Sequence, residues 1–469
     1  MSLQVNEACA PINNLAVTWK VLDALMGGTR TMRAAGHTLM PRWPAEDIDA
    51  HKARVETATL FPAYRRTVSV MSGKPFAKPL ALRDSNSDFD KWAEDIDLQG
   101  MSLNNFAAEM FAEVVGYGLA GILVDFPRVD GTETTTRAAL EATGARPYWV
   151  RVKHHQILGW QAQIQSGKMR LTQLRILETY EQADGLFATK WLPQVRVLSP
   201  GAWEIWREDA DGKGWGIFDK GTTTLEDIPY VPLYGIRDGF MIGRAPLEDL
   251  AYLNVKHWQS QSDQDTIMHV ARVPILALSG ADDDTKLSVG AATAVKLPQG
   301  AKLEYVEHTG QAIGAGVSAI NALEEQMIQT GAELMVKKPG ARTATESAND
   351  AEANKSDLQR MAEQFEDAID LALHYTAQWA KQSTVPTAKL FSDYGAATMG
   401  EASGALIKDL HLSGVITSET AIVELQRRGI LSDDVDPAVE AANAEAEMTA
   451  SLPPAPMAGA GAETNVANG

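Results

Sequence analysis

"APLEDLAYLNVKHWQSQSDQDTIMHVARVP", residues 245–274, decides how the rest of the chain is read. Pro246 suits the first helical position, where a missing N–H costs nothing, and Pro274 marks a stop. The roughly 27 residues between them predict a helix about 40 Å long at 1.5 Å per residue. Its first half carries an apolar stripe of Leu247, Leu250 and Leu253 or Asn254. Its middle, "QSQSDQD", is polar on every side. A helix of that kind is expected to bridge water or neighbouring subunits rather than to pack inside one copy.

Downstream, "GQAIGAGVSAINALEEQMIQTGAEL" predicts a second long helix, with Ile313, Val317, Ile320, Leu323, Met327 and Leu334 at helical spacing. Gly314, Ala315, Gly316, Ala319 and Ala322 allow another helix to come close. Residues 273–310, between the two, hold strand-like pieces and no long helix. They read as a small β excursion at the far end of a helical pair. The run Asp282-Asp283-Asp284 lies there in a Gly- and Ser-flanked loop without a spaced partner ligand, so it reads as a solvated turn rather than a metal site.

The strongest periodicity follows in "TATESANDAEANKSDLQRMAEQFEDAIDLALHYTAQWA". Leu358, Met361, Phe365, Ala368, Ala372, Tyr375 and Trp379 step alternately by three and four, which predicts a helix of more than 30 residues. Two shorter helices come next, split at Gly414, with Thr417 or Ser418 as cap and Gly429 as stop. The Ala-, Pro- and Gly-rich end, 441–469, is expected to be disordered.

Upstream, the first 75 residues read as amphipathic helices with Gly28 and Gly73 as stops. "GYGLAGILVDFP", residues 116–127, contains G-x-G-x-x-G at Gly116, Gly118 and Gly121. A dinucleotide site needs such glycines after a strand and before a helix, so that N–H groups face the pyrophosphate. Here "SLNNFAAEMFAEVVGYG" predicts a helix first, capped by Ser102, and "GILVDF" a strand second. The glycines would sit where carbonyls and the helix dipole repel phosphate. Gly116 and Gly118 therefore read as helix-ending and Gly121 as a close-packing position; a nucleotide-binding enzyme at Gly116–Gly121 is the weaker alternative. From about 146 to 243, short β-branched and aromatic runs predict an antiparallel sheet, with a hairpin turn at "DADGKG", 209–214.

The totals bound the function. A chain of 469 residues predicts several domains. Its single cysteine, Cys9, precludes an internal disulfide and fits a reducing compartment. No apolar run reaches membrane-spanning length, and "MSLQVNEACAPINN" shows no secretory pattern. The formal net charge of −19 argues against a DNA-clamping protein, which needs a basic face, but suits a surface that DNA slides past. No catalytic or cofactor motif stands out. His154 and His155, adjacent in a predicted strand, would point to opposite faces. "MSGKPF" lacks the upstream glycine of a P-loop, and Pro75 blocks its helix. The expectation is a chain with no enzyme activity, no metal and no cofactor.

The order of these parts resembles the portal proteins of tailed bacteriophages, and within them a portal-like family long described only as of unknown function. The resemblance rests on "EDIDLQGMSLNNFAAEMFAEVVGYGLAGILVDFP", "ARPYWVRVKHHQILGW", "IPYVPLYGIRDGFMIGRAPLEDLAYLNVKHWQSQSDQD" and "TATESANDAEANKSDLQRMAEQFEDAIDLAL". It implies an α+β fold made of a mixed α/β wing (1–243), a stem helix (244–272), a small β-rich clip (273–310) and a second stem helix (311–334). A tunnel loop (335–345), a long helix (346–384), crown helices (385–440) and a tail (441–469) complete it. It implies a homo-oligomeric ring, usually a dodecamer, at one capsid vertex of the virion, assembled in the host cytoplasm. Double-stranded DNA would pass through it without sequence-specific binding. The implied partners are the terminase large subunit, head-completion or adaptor proteins, and capsid and scaffold proteins. Another head–tail ring protein is the alternative. Twelve copies at −19 would total roughly −230, a bore that repels phosphate. In the tunnel loop, Lys337, Lys338 and Arg342 would either touch phosphate transiently or form a solvated loop. Asp282, Asp283, Asp284 and Lys286 would lie on the clip surface that meets terminase or adaptor.

Overall fold

The computed structural model describes residues 3–127, 144–209, 211–212, 214–271, 275–280, 300, 302–306, 311–333, 356–392, 400–427, 431 and 435–450. The chain is α+β and divides into two compact units, Met1–Phe391 and Ser392–Gly469. Lys337, Lys338, Arg342, Asp282, Asp283, Asp284 and Lys286 lie outside the described residues.

The first unit is organised around α6, Leu103–Tyr117. Ser102 caps it by accepting from the Asn105 N–H, and Phe106, Met110, Phe111, Val114 and Val115 are buried. Gly118 ends the helix in the left-handed conformation, with φ of 83°. Strand β2, Leu119–Asp125, follows at once and is buried on both faces to Val124. It is the middle strand of an antiparallel sheet of order β3-β2-β9, flanked by Tyr148–Val152 and Tyr230–Tyr234. Gly121 sits directly under Tyr230, and a Cβ there would overlap the phenol. Gly116 departs from its expected role: it is a buried residue inside the last helical turn, and its carbonyl accepts from the Tyr64 hydroxyl at 2.5 Å.

The N-terminal helices wrap this centre. They are α1 (Ala10–Gly27), α2 (Thr29–Ala35), α3 (Ile48–Thr57) and α4 (Ala63–Gly73). Strand β1 (Ala81–Arg83) and helix α5 (Ser87–Glu94) lead from them into α6. Residues 48–73 form two helices rather than one run, because Pro62 at the start of α4 cannot donate into a continuing helix. Gly28 stops α1 with φ of 80°, but Gly73 is ordinary right-handed backbone running into a short 3₁₀ turn at Lys74–Phe76.

A second antiparallel sheet has order β4-β5-β6-β7-β8: Ile157–Gln165, Lys168–Asp184, Ala188–Ser199, Ala202–Glu208 and Trp215–Thr222. The expected turn at 209–214 joins β7 to β8, with the Asp209 N–H donating to the Gly214 carbonyl at 2.9 Å.

Three further departures have local causes. The strongly periodic helix, α9, spans Asp357–Ala380 and is therefore shorter than 30 residues. Ser356 and Gln359 form a reciprocal capping box that starts it, a local signal that the longer periodic pattern masks. Its buried stripe runs through Leu358, Met361 and Phe365, then shifts to Ile369, Leu373 and Thr376. An ideal helix drifts about 20° per heptad against a strict 3.5-residue repeat, so Ala368 and Tyr375 move to the edge. In the second unit, helices Gly400–Leu412 and Ser418–Arg427 flank Gly414, and Thr417 supplies the cap by accepting from the Thr420 N–H. A further helix, Pro437–Ala450, occupies the first part of the tail expected to be disordered. Alanine-rich sequence favours helix, and Asp436 caps it through the N–H groups of Ala438 and Val439.

Candidate functional site: two long helices and their exposed faces

Helix α7, Glu248–Ala271, and helix α8, Gln311–Glu333, lie antiparallel. The register is fixed by three contacts. Gly331 packs on Leu250, His257 Nε2 lies 3.2 Å from Glu324 Oε1, and Gln264 Nε2 donates to the Ile313 carbonyl at 3.2 Å. Gly316 leaves room for Gln264, because a Cβ would overlap its amide oxygen. A two-stranded antiparallel ribbon, Ile275–Ser279 with Lys302–Val306, joins the pair.

The polar middle of α7 is packed within one copy, contrary to the sequence expectation. Ser262 and Gln264 are buried, Gln259 donates to the Leu39 carbonyl at 2.6 Å, and Ser262 contacts Met40. Asp263 pairs with the buried Arg54, which also grips Glu46 through Nε at 2.7 Å and Nη2 at 2.9 Å. A polar surface satisfies a core when each group finds a partner, and the α2–α3 connection supplies them. Nearer the start of α7, Asn254 is fully buried and bridges two backbone groups: it accepts from Tyr64 N at 2.9 Å and donates to the Phe61 carbonyl at 2.9 Å. Asn254→Leu leaves both unpaired in the interior. A loss of roughly 2–4 kcal/mol is expected, read as a lower denaturant midpoint at unchanged m-value. An unchanged midpoint would refute the assigned role. Beyond Gln264, Asp265, Thr266 and His269 are all exposed, so the last turns of α7 leave the core.

Helix α8 is different. Over its 23 residues the only buried side chains among those described are Ile320 and Met327, beside the buried Gly331. They form one narrow seam on α7. Ala315, Ala319 and Ala322 are exposed on the side away from that seam, and Val317 and Ile328 are exposed on a separate flank beside it, 46% and 73% accessible. Together the two helices hold seven carboxylates and one lysine, Lys256.

The glycine stretch is spent on architecture. The Gly118 N–H donates to Val114 O at 2.8 Å and its carbonyl accepts from Gly235 N at 2.9 Å. A Cβ on Gly118 would overlap the backbone of Arg244 and Ala245, just before α7. Neither group is free to meet a phosphate.

His154 and His155 stand in a 3₁₀ turn, not a strand, which corrects the opposite-faces reading. His154 is buried, stacks on Tyr117 at 3.7 Å, donates from Nδ1 to Glu113 Oε1 at 2.6 Å and places Nε2 3.5 Å from Asp23 Oδ1. Burial pushes its pKa down, but the hydrogen bonds and charges of Asp23 and Glu113 outweigh this, and it ends above the ordinary histidine value. In its protonated form the ring ties α1 to α6. That contribution is complete below the unfolded value of about 6.5 and fades as pH rises through the folded value. The thermal midpoint of the wild type is expected to fall above about pH 6.5, and His154→Gln should flatten that slope. Equal slopes in both proteins would exclude the assignment. Among the described residues no cluster of His, Cys, Asp and Glu could hold a metal ion, and no helix is long and apolar enough to cross a membrane.

Residues 246–380, which include both long helices and α9, match a family model described as "Domain of unknown function (DUF4055)". No curated protein matches the chain. Among solved structures, the chain is similar to one from the neck of an empty GTA particle computed with C6 symmetry, at 13% identity and TM-score 0.42, covering 85% of this chain and 98% of that one. It is also similar to one from the neck of the native particle computed with C12 symmetry, at 12% identity and TM-score 0.41, covering 84% and 98%. A third likeness is to a chain from the virion of the native gene transfer agent particle, at 13% identity and TM-score 0.41, covering 84% and 98%. Likeness of this degree leaves the function to be read from the chain's own residues.

Proposed function

We propose that the chain is a structural ring protein of a phage-type particle, a portal, whose copies surround a channel for double-stranded DNA. The observation that carries this is α8. A 23-residue helix with only two buried side chains described, a single seam, an exposed alanine side and an exposed Val317–Ile328 flank is incompletely covered in one copy. Helices gain most of their stability in proteins from packing an apolar face, so the outer face of α8 calls for a neighbour. Sister copies supply it in a head-to-tail ring, where each α8 meets the next copy's α7 or α8. The carboxylates of both helices would keep DNA phosphates from sticking to the bore.

In this reading residues 1–243 form the wing, 244–272 and 311–334 the stem, 273–310 the clip, and 385–440 the crown. Lys337, Lys338 and Arg342 would touch DNA phosphate in passing, and Asp282, Asp283, Asp284 and Lys286 would meet terminase or adaptor. The protein performs no chemistry of its own and works at one capsid vertex of the virion, assembled from copies made in the host cytoplasm. Another head–tail ring protein would share the same helical pair and differ in its partners. Negative-stain images of the purified full chain are expected to show a ring with an axial hole. A monomer at every salt concentration from low to high would overturn the proposal.

A further inference from the structure

Strands β5 and β6 run on together after their neighbours stop. Strand β4 pairs with β5 only over Lys168–Ile176, and β7 pairs with β6 only from Gln194 onward. From Thr179–Pro193 to Asp184–Ala188 the hairpin is a two-stranded arm with both edges open. At about 3.4 Å per residue the arm reaches roughly 20 Å beyond the sheet. Gly185 turns it with φ of 82°, which sets Leu186 and Phe187 at the tip.

Every side chain from Glu181 to Trp191 is exposed. Leu186 is 87%, Phe187 96% and Trp191 66% accessible. An unsupported two-stranded ribbon is marginal in water, and two large apolar groups at its tip with a third midway along it are a cost unless something covers them. The root is well held: the Arg207 guanidinium is sandwiched between Tyr180 at 3.7 Å and Phe218 at 3.6 Å.

The same sheet carries a fitting hollow. A cleft of about 730 Å³ lies under the N-terminal segment, lined by Val5, Cys9, Trp160, Arg175, Trp206 and Trp215 among others. It has room for a leucine and a phenylalanine together. The chain cannot fill it with its own arm, because nine strand residues, about 30 Å, separate Arg175 from the arm's end. The cleft wall also carries one charge of each sign, Arg175 and Glu204. Arg175 gives its Nη1 to the carbonyls of Gln4, Val5 and Glu7 and makes no carboxylate ion pair among the described residues. Glu181, cross-strand from Trp191, brings an exposed carboxylate on the arm.

We propose that the arm of one copy docks its Leu186–Phe187 tip in this cleft of the next copy. The inference rests on the ring reading and deepens it. Knob and hole are different patches of one chain, so the contact is head-to-tail and propagates around a ring. The tip and Trp191 bury roughly 400–500 Å² of apolar side chain on the arm, and about twice that over both partners. This is short of the 1,200–2,000 Å² of a standard interface, so the arm reinforces the contact made by the long helices and does not replace it.

The single native cysteine lines the cleft and serves as the probe. Full-length Phe187→Cys, mildly oxidised or treated with a short bismaleimide, is expected to give a ladder of covalent multimers on a non-reducing gel. The ladder should vanish when Cys9→Ser is added. Phe187→Asp should keep the wild-type circular dichroism, since the residue is exposed, and raise the concentration for half-assembly at least tenfold. Rings in the images with no ladder, a cross-link that persists with Cys9→Ser, or unchanged assembly of Phe187→Asp would each overturn the arm while leaving the ring standing. A monomer throughout would overturn both.

Discussion

Gly118→Ala is expected to remove the folded protein from the soluble fraction. The residue holds φ of 83°, where an alanine Cβ meets its own carbonyl at a cost of about 1–2 kcal/mol. Steric overlap with a distant segment costs more. The added Cβ overlaps the backbone of Arg244 and Ala245, which cannot rotate away as a side chain could. Gly243 and Gly235 cross at the same point, and a Cβ on Gly243 would overlap the Gly118 carbonyl. The end of α6, the start of β2 and the entry to α7 thus pass through one crowded spot. A loss above about 4 kcal/mol is expected, a large fraction of the stability of a typical domain. Gly100→Ala is the control. Its φ of 87° imposes the same strain, but nothing lies within 4 Å of the new methyl. It should cost about 1–2 kcal/mol and stay soluble. Comparable yields and melting curves for the two variants would show that the crossing is not crowded.

The second large effect concerns assembly. Val317→Asp combined with Ile328→Asp is expected to convert the large particle into a slowly sedimenting species. Both side chains are exposed in a single copy, so the fold of that copy should lose no more than about 0.5 kcal/mol per site. In a ring they would lie between helices of neighbouring copies. There an unpaired carboxylate costs several kcal/mol to bury, and each copy would bring two of them. Sedimentation velocity reads the size and far-ultraviolet circular dichroism reads the fold. A ring of unchanged size would show that this face of α8 is not the contact. Ile320 cannot be used in the same way: it is buried in the seam with α7, and a charge there would damage the single copy.

Much of this is legible in the residues. The helix-then-strand order at Gly116–Gly121 argues against a dinucleotide site, and the geometry shows why: the Gly118 N–H and carbonyl already have partners. Ser102 as cap, Gly28 as stop, Thr417 as cap and the 209–214 turn follow from side chains acting on backbone within a few residues. Ser356 and Gln359 are equally legible, since a Ser-x-x-Gln box is a local signal, but the longer periodic pattern masks it. The helicity of Pro437–Ala450 is likewise written in alanine content and the Asp-Pro start.

By itself, then, the sequence determined most of the helices and strands, several of the caps and turns, and that the chain is α+β with two long helices joined by a β ribbon. Those properties depend on dihedral preferences and on partners a few residues away. Only the tertiary structure decided that the polar middle of α7 is covered, that His154 lies between Asp23 and Glu113, and that α8 keeps an open face. It also decided that a hairpin outruns its sheet to carry Phe187 into solvent. The cover over α7 depends on residues far apart in the chain: Arg54 and Asp263 are separated by 209 positions, and Gln259 and Leu39 by 220. A polar side chain looks the same in sequence whether its partner is water or a distant arginine, and only folding brings that partner to it.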